Sequence, residues 1–262
     1  VSLSKISFLA GFVAIVTCLH ATSIVVLRSP HGTKIVVAAD SEFSIDSAAP
    51  INGCKIVQIE RNYWTAISGL ASEPGTGFDS YKIALQASSR HRNNLDDLAS
   101  EIRDETIAGL PSALKHRRKA IGKQAFWREY KDGFDAHEEA LWGTENGVLR
   151  LIYIQFILHR GMFGKLQVSA TVRKCPGDAC EDPAAGFAAF LGHHKVIDKF
   201  KADNPDWPKH QKLETLARQF VQMEIDGEPD CHCSLPVNVL SMDKFGSAGW
   251  VGQRGLSCQL PQ

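Results

Sequence analysis

Two pairs of short apolar runs dominate the first part of the chain. Residues 23–27 (SIVVL) and 34–39 (KIVVAA) are rich in β-branched side chains, and residues 29–32 (SPHG) between them supply turn chemistry, so together they predict a hairpin. Residues 54–59 (CKIVQI) and 63–68 (YWTAIS) repeat the pattern about Glu60, Arg61 and Asn62. The runs are nearly continuous rather than alternating, which predicts a sheet buried on both faces. The period then changes. Asn94 is placed to cap a helix in which Leu95, Leu98, Ala99 and Ile102 recur at helical spacing, and helical sequence extends past Trp127. Glycines and acids over residues 132–147 break the pattern. Residues 149–158 and 166–172 predict a second strand pair about His159, Arg160 and Gly161. Gly192 opens a helix to about Ala202, residues 204–208 form a surface loop, and Leu213, Leu216, Ala217, Phe220 and Val221 define an amphipathic helix up to Gly227. Residues 237–240 and 249–251 supply closing strands. Strand pairs, helices, strand pairs, helices and final strands predict an α+β domain in which two sheets lie between outer helices.

The segment ahead of the first strand has a different character. Lys5 is the only charge before Arg28, residues 6–17 are almost uninterruptedly apolar, and Leu19, His20 and Ala21 end the run on a small residue. This tripartite pattern predicts an export signal at residues 1–21, removed to leave Thr22 first and a single domain over 22–262. The run is too short to span a bilayer comfortably, so no integral membrane segment is expected after processing. A retained anchor or a buried strand extension are the alternatives. Export, to a periplasm or to the medium, is the localisation this implies.

Composition narrows the partners. Lys plus Arg equals Asp plus Glu at 29 each, so nothing in the charge balance argues for a nucleic-acid or membrane-surface partner, and no nucleic acid is expected. The basic cluster at residues 115–119 lies in helical sequence and reads as a solvated helix face. Of the seven cysteines, Cys18 leaves with the signal, and the even number that remains suits disulfides in an exported chain. Cys175 and Cys180 enclose a Pro-Gly turn and are close enough in sequence to pair with each other. Cys231, His232 and Cys233 invite a zinc reading. Their spacing is not that of a zinc knuckle, and alternate strand residues point to opposite faces, so no metal is expected. There is no G-x-S-x-G elbow, P-loop or Rossmann fingerprint, and no cofactor is expected.

Thr22 opening the first strand, Asp40 ending the second, Lys55 on the third and Gly69 closing the fourth resemble the catalytic half of a proteasome β-type subunit. Residues 22–26 (TSIVV) look like the mature start of that family. Residues 35–41 (IVVAADS) look like its acid-ended second strand, residues 54–59 carry the matching lysine, and residues 66–69 (AISG) carry the matching glycine. Farther on, Asp230, Cys233 and residues 235–240 (LPVNVL) are similar to the family's late acid, a serine three residues on, and the strand that follows. The resemblance implies the four-layer αββα sandwich of N-terminal nucleophile (Ntn) hydrolases. It also implies a threonine nucleophile whose own α-amine is the base, with Lys55 beside it, Asp40 holding the lysine, and the Gly69 amide as oxyanion donor. Asp230 and Cys233 fall in the network around the amine. Leu191-Gly192 stands where the family has a Ser-Gly step, and Cys233 stands where it has a second serine. A peptide or protein substrate is implied, and relatives form ring-shaped oligomers. Two other functions remain open: a small-molecule amidase or acylase of the same superfold, and a catalytically silent structural subunit.

Overall fold

The computed structural model describes residues 22–43, 51–180, 186–207, 211–228 and 233–252. The leader at 1–21 and the residues Asp230, Cys231 and His232 lie outside these described residues. The first apolar runs form the hairpin of β1 (Ser23–Arg28) and β2 (Lys34–Ala39), with Ile24 opposite Ala39 and Arg28 opposite Ile35. Its turn is locked by Ser29 Oγ, which accepts the Thr33 and Lys34 amides at 3.0 and 2.9 Å. β3 (Glu42–Phe43) pairs with β4 (Ile51–Asn52). β5 (Ile56–Glu60) and β6 (Tyr63–Gly69) make the second hairpin, followed by the short pair β7 (Ser72–Glu73) and β8 (Phe78–Asp79).

Three helices come next: α1 (Ser80–Arg90), α2 (Leu95–Ile121) and α3 (Lys123–Glu129). Asn94 caps α2 as its sequence predicts, its side-chain oxygen accepting the Asp96 and Asp97 amides, and the acids there sit favourably at the positive end of the helix dipole. A meander follows, of β9 (Asp135–Glu145), β10 (Val148–Arg160) and β11 (Leu166–Cys175). The chain then runs through β12 (Phe187–Gly192), α4 (Lys195–Asp203), α5 (Leu213–Gly227), β13 (Asn238–Asp243) and β14 (Ala248–Trp250).

The architecture is α+β, with two five-stranded antiparallel sheets ordered β12-β1-β2-β13-β14 and β11-β10-β9-β6-β5. Three apolar clusters hold them. One joins facing residues of both sheets, including Ile24, Val37, Ala66, Trp142, Leu151 and Leu191. A second packs the β9–β10 side against α1 and α2 through Leu98, Ile102, Leu110, Ile152 and Phe156. The third packs β1 and β2 against α4 and α5 through Val25, Val36, Ile197, Phe220 and Val221. Every residue of β1 is buried, as expected for a strand with apolar neighbours on both faces. Among the described residues no helix is long and apolar enough to cross a membrane.

Several sequence expectations are corrected. Residues 132–147 do not merely interrupt the pattern: they contain β9, which lies inside its sheet between β10 and β6. Its polar stretch His137, Glu138 and Glu139 is buried, so composition there reflects chemistry inside the fold rather than a loop. Gly192 ends a strand, and the helix starts three residues later at Lys195. Helix α1 was not expected, because it buries only Ser80, Ala84, Ala87 and Ser88, a stripe of small side chains with little apolar signal. Within the basic cluster on α2, Arg117 is buried and 3.7 Å from the Glu129 carboxylate, while Lys115, His116 and Lys119 are exposed. Cys175 and Cys180 do form a disulfide, with their Cα atoms 5.2 Å apart.

Candidate active site

Strand pairing delivers the first two residues to one another. Antiparallel register places the start of β1 beside the end of β2, so the Asp40 amide donates to the Ser23 carbonyl at 3.2 Å, and the Ser23 amide donates back to Asp40 Oδ1 at 2.8 Å. Lys55 comes from the other sheet, immediately before β5. Its Nζ donates to both Asp40 carboxylate oxygens and to Thr22 Oγ1, each at 2.9 Å. Asp40 Oδ2 also accepts the Glu42 amide at 3.1 Å. Both carboxylate oxygens are therefore engaged, as a buried acid requires. Asp40 is fully buried and the Lys55 side chain is 1% exposed, so this ion pair lies in the interior. Burial pulls the Lys55 ammonium below the ordinary lysine value, while the charge and hydrogen bonds of Asp40, and then the charge of Glu42, oppose that fall.

Gly69 closes β6 opposite His137. Its φ of +84° suits glycine, and a Cβ there would lie 2.5 Å from the Ala136 carbonyl oxygen. The preceding residue, Ser68, reaches the same place as Thr22. A Cβ built on Gly192 would fall 2.2 Å from the Thr22 carbonyl oxygen and 2.6 Å from Ser68 Oγ. Gly192 is thus wedged between the start of β1 and the end of β6, and Gly69 adjoins the site.

The loop before β13 closes over the acid. Ser41, next to Asp40, accepts a hydrogen bond from Asn238 Nδ2 at 2.7 Å and donates its hydroxyl to the Pro236 carbonyl at 2.5 Å, while its amide donates to the Ser234 carbonyl at 3.1 Å. Cys233, at the start of that described stretch, is disulfide-bonded. Its sulfur therefore carries no thiol proton to donate. Leu191 is fully buried among the residues between the sheets and presents no polar group. Asp230 lies outside the described residues.

The interior near Gly192 holds groups that the reading of the sequence did not single out. Glu138 on β9 accepts the Gly192 amide at 2.6 Å and the Tyr153 hydroxyl. Burial, with a smaller contribution from Asp135, pushes its carboxyl up to about 7 against the opposing hydrogen bonds. Its signal was present as an acid between Ala136 and Ala140 in an otherwise strand-like stretch, hidden by the neighbouring His137 and Glu139. A pocket of about 300 Å³ lined by Thr76, Phe78, Asp79, Lys82 and Gly109 lies away from these residues, beside α1 and α2. Among the described residues no group of three or more histidine, cysteine or acidic side chains is arranged to hold a metal.

A hydroxyl bonded to a buried ammonium, which is itself clamped by a carboxylate, can act as a nucleophile once a base accepts its proton. No family model and no curated protein sequence matches the chain.

Proposed function

We propose that the chain is an exported, threonine-type Ntn hydrolase of the proteasome β kind. In this reading its sheets and helices form an αββα sandwich, and it cleaves peptide amide bonds through a threonyl acyl-enzyme after residues 1–21 are removed. One observation carries the reading: Lys55 Nζ sits 2.9 Å from Thr22 Oγ1 and from both oxygens of Asp40, in a buried setting.

The freed α-amine of Thr22, with a reference pKa of about 7.7–8.0, takes the hydroxyl proton. Oγ1 then attacks the scissile carbonyl carbon. The Lys55 charge favours the neutral amine and stabilises the developing alkoxide. The Gly69 amide receives the oxyanion of the tetrahedral intermediate, a donor worth about 3–4 kcal/mol in comparable sites. The leaving amine departs with the proton, and water then cleaves the ester to regenerate Thr22. A small-molecule amide would follow the same steps. A second reading, a catalytically silent subunit, is favoured by Leu191 and Cys233, neither of which supplies a hydroxyl.

Intact mass spectrometry of the exported protein, before and after treatment with a β-lactone or epoxyketone, tests the proposal. The expected result is a chain starting at Thr22 that gains one adduct on that residue, while Thr22→Ala gains none and stays folded. A correctly processed chain that neither labels nor hydrolyses any peptide or acylated small amine establishes the silent subunit instead.

A further inference from the structure

Two hydrogen bonds fix the start of β1 from the side opposite Lys55 and Asp40. The His193 amide donates to the Thr22 carbonyl at 2.8 Å. The amide immediately before it, Gly192 N–H, donates to Glu138 Oε2 at 2.6 Å and so links the sheet that carries Thr22 to the sheet that carries Lys55. Glu138 is 6% exposed, and its other oxygen is held by the Tyr153 hydroxyl from β10. Ser68 lies directly opposite Glu138 across β6 and β9, with its hydroxyl buried and, among the described residues, without a hydrogen-bond partner. Gly192, at φ +75°, fills the space between Ser68 and Thr22 so closely that no Cβ fits. In so tight a seam a shift of the Glu138 carboxyl moves the Gly192 peptide, and with it the adjoining amide on Thr22.

We propose that Glu138 is a positioning residue for the nucleophile: seated by Tyr153, it holds the Gly192–His193 backbone and thereby sets where Thr22 lies against Lys55. This rests on the reading of Thr22 as the nucleophile. The charged and titratable groups acting on the pair are Asp135 on the same strand, Tyr153 on β10, Arg173 on β11 acting on Tyr153, and His194 after β12 acting on Asp135. Both the acid and the carboxylate form of Glu138 can accept the Gly192 amide, but the carboxylate accepts more strongly. The grip therefore tightens as pH rises through about 7.

The experiment is the rate of covalent labelling of Thr22 by a β-lactone, per folded molecule, across the neutral pH range. The parent should show two ionisations, one from the α-amine and one from Glu138. Glu138→Gln keeps an acceptor for Gly192 and a donor for Tyr153. It should label within about threefold of the parent, since the geometry is retained, but lose the Glu138 ionisation. Glu138→Leu should label about 10²-fold more slowly, the scale of a nucleophile misplaced by about 1 Å. Tyr153→Phe removes a bond that favours the carboxylate and should move the inflection to higher pH. If Glu138→Leu does not fold, the Gln and Phe variants decide. Folded variants that label with the parent's rate and pH profile overturn the positioning role while leaving Thr22 as nucleophile. A processed parent that does not label overturns both.

Discussion

Asp40 and Lys55 pose an energetic question that their chemistry answers. A fully buried ion pair is weak evidence of stabilisation, because desolvation offsets most of the attraction, yet removing one partner leaves an orphaned charge. Asp40→Ala should therefore cost about 3–5 kcal/mol in denaturant unfolding and abolish labelling of Thr22. The double variant Asp40→Leu/Lys55→Met should regain much of that stability with no recovery of labelling. Full stability loss in the double variant would instead make the pair structural. Thr22, Asp40, Lys55 and Gly69 were picked out by the resemblance, and the strand pattern placed each at the end of an apolar run, which is where the fold has them. Glu138, Tyr153 and Ser68 were not. Each acquires its neighbours through cross-strand or sheet-to-sheet contacts between segments far apart in sequence.

At the scale of elements the same divide recurs. The hairpins β1–β2 and β5–β6 and the capped helix α2 were readable because local pattern and tertiary role agree. Strand β9 was obscured because three consecutive titratable residues, His137, Glu138 and Glu139, are buried in it. That oddity has a measurable effect. Burial raises the Glu139 carboxyl to about 8 against its one opposing hydrogen bond, from Thr65. Its folded value lies above its unfolded one, so the folded protein binds the extra proton, and stability falls as pH rises from about 4.5 to about 8. Glu138 acts in the same direction up to about 7, while His137, held down at about 4, adds stability with rising pH only up to its unfolded value near 6.5. Glu139→Gln should consequently flatten the decline in unfolding free energy between about pH 5 and pH 8. Equal slopes in parent and variant would show that Glu139 stays ionised in the fold.

Across the whole molecule the site is a product of two sheets. Thr22 and Asp40 come from the β1–β2 sheet, Lys55, Gly69 and Glu138 from the other, and the apolar layer between the sheets sets their separation. The disulfide between Cys175 and Cys180 borders that layer, since both cysteines belong to its cluster. Peptide mapping without reduction should recover the two residues linked. Cys175→Ala/Cys180→Ala should lower unfolding free energy by about 2 kcal/mol, as expected for so short a loop, without preventing folding. Finding both thiols free in the native protein would contradict the pairing. Strand β1 itself is bonded along both edges, to β12 and to β2. A strand so clamped has discrete registers along its axis. A slip of one residue turns each side chain to the other face, and a slip of two carries it about 6.7 Å. Either step would take the Thr22 hydroxyl out of reach of Lys55, so the ladders fix the register and leave only smaller adjustments to the residues around Gly192.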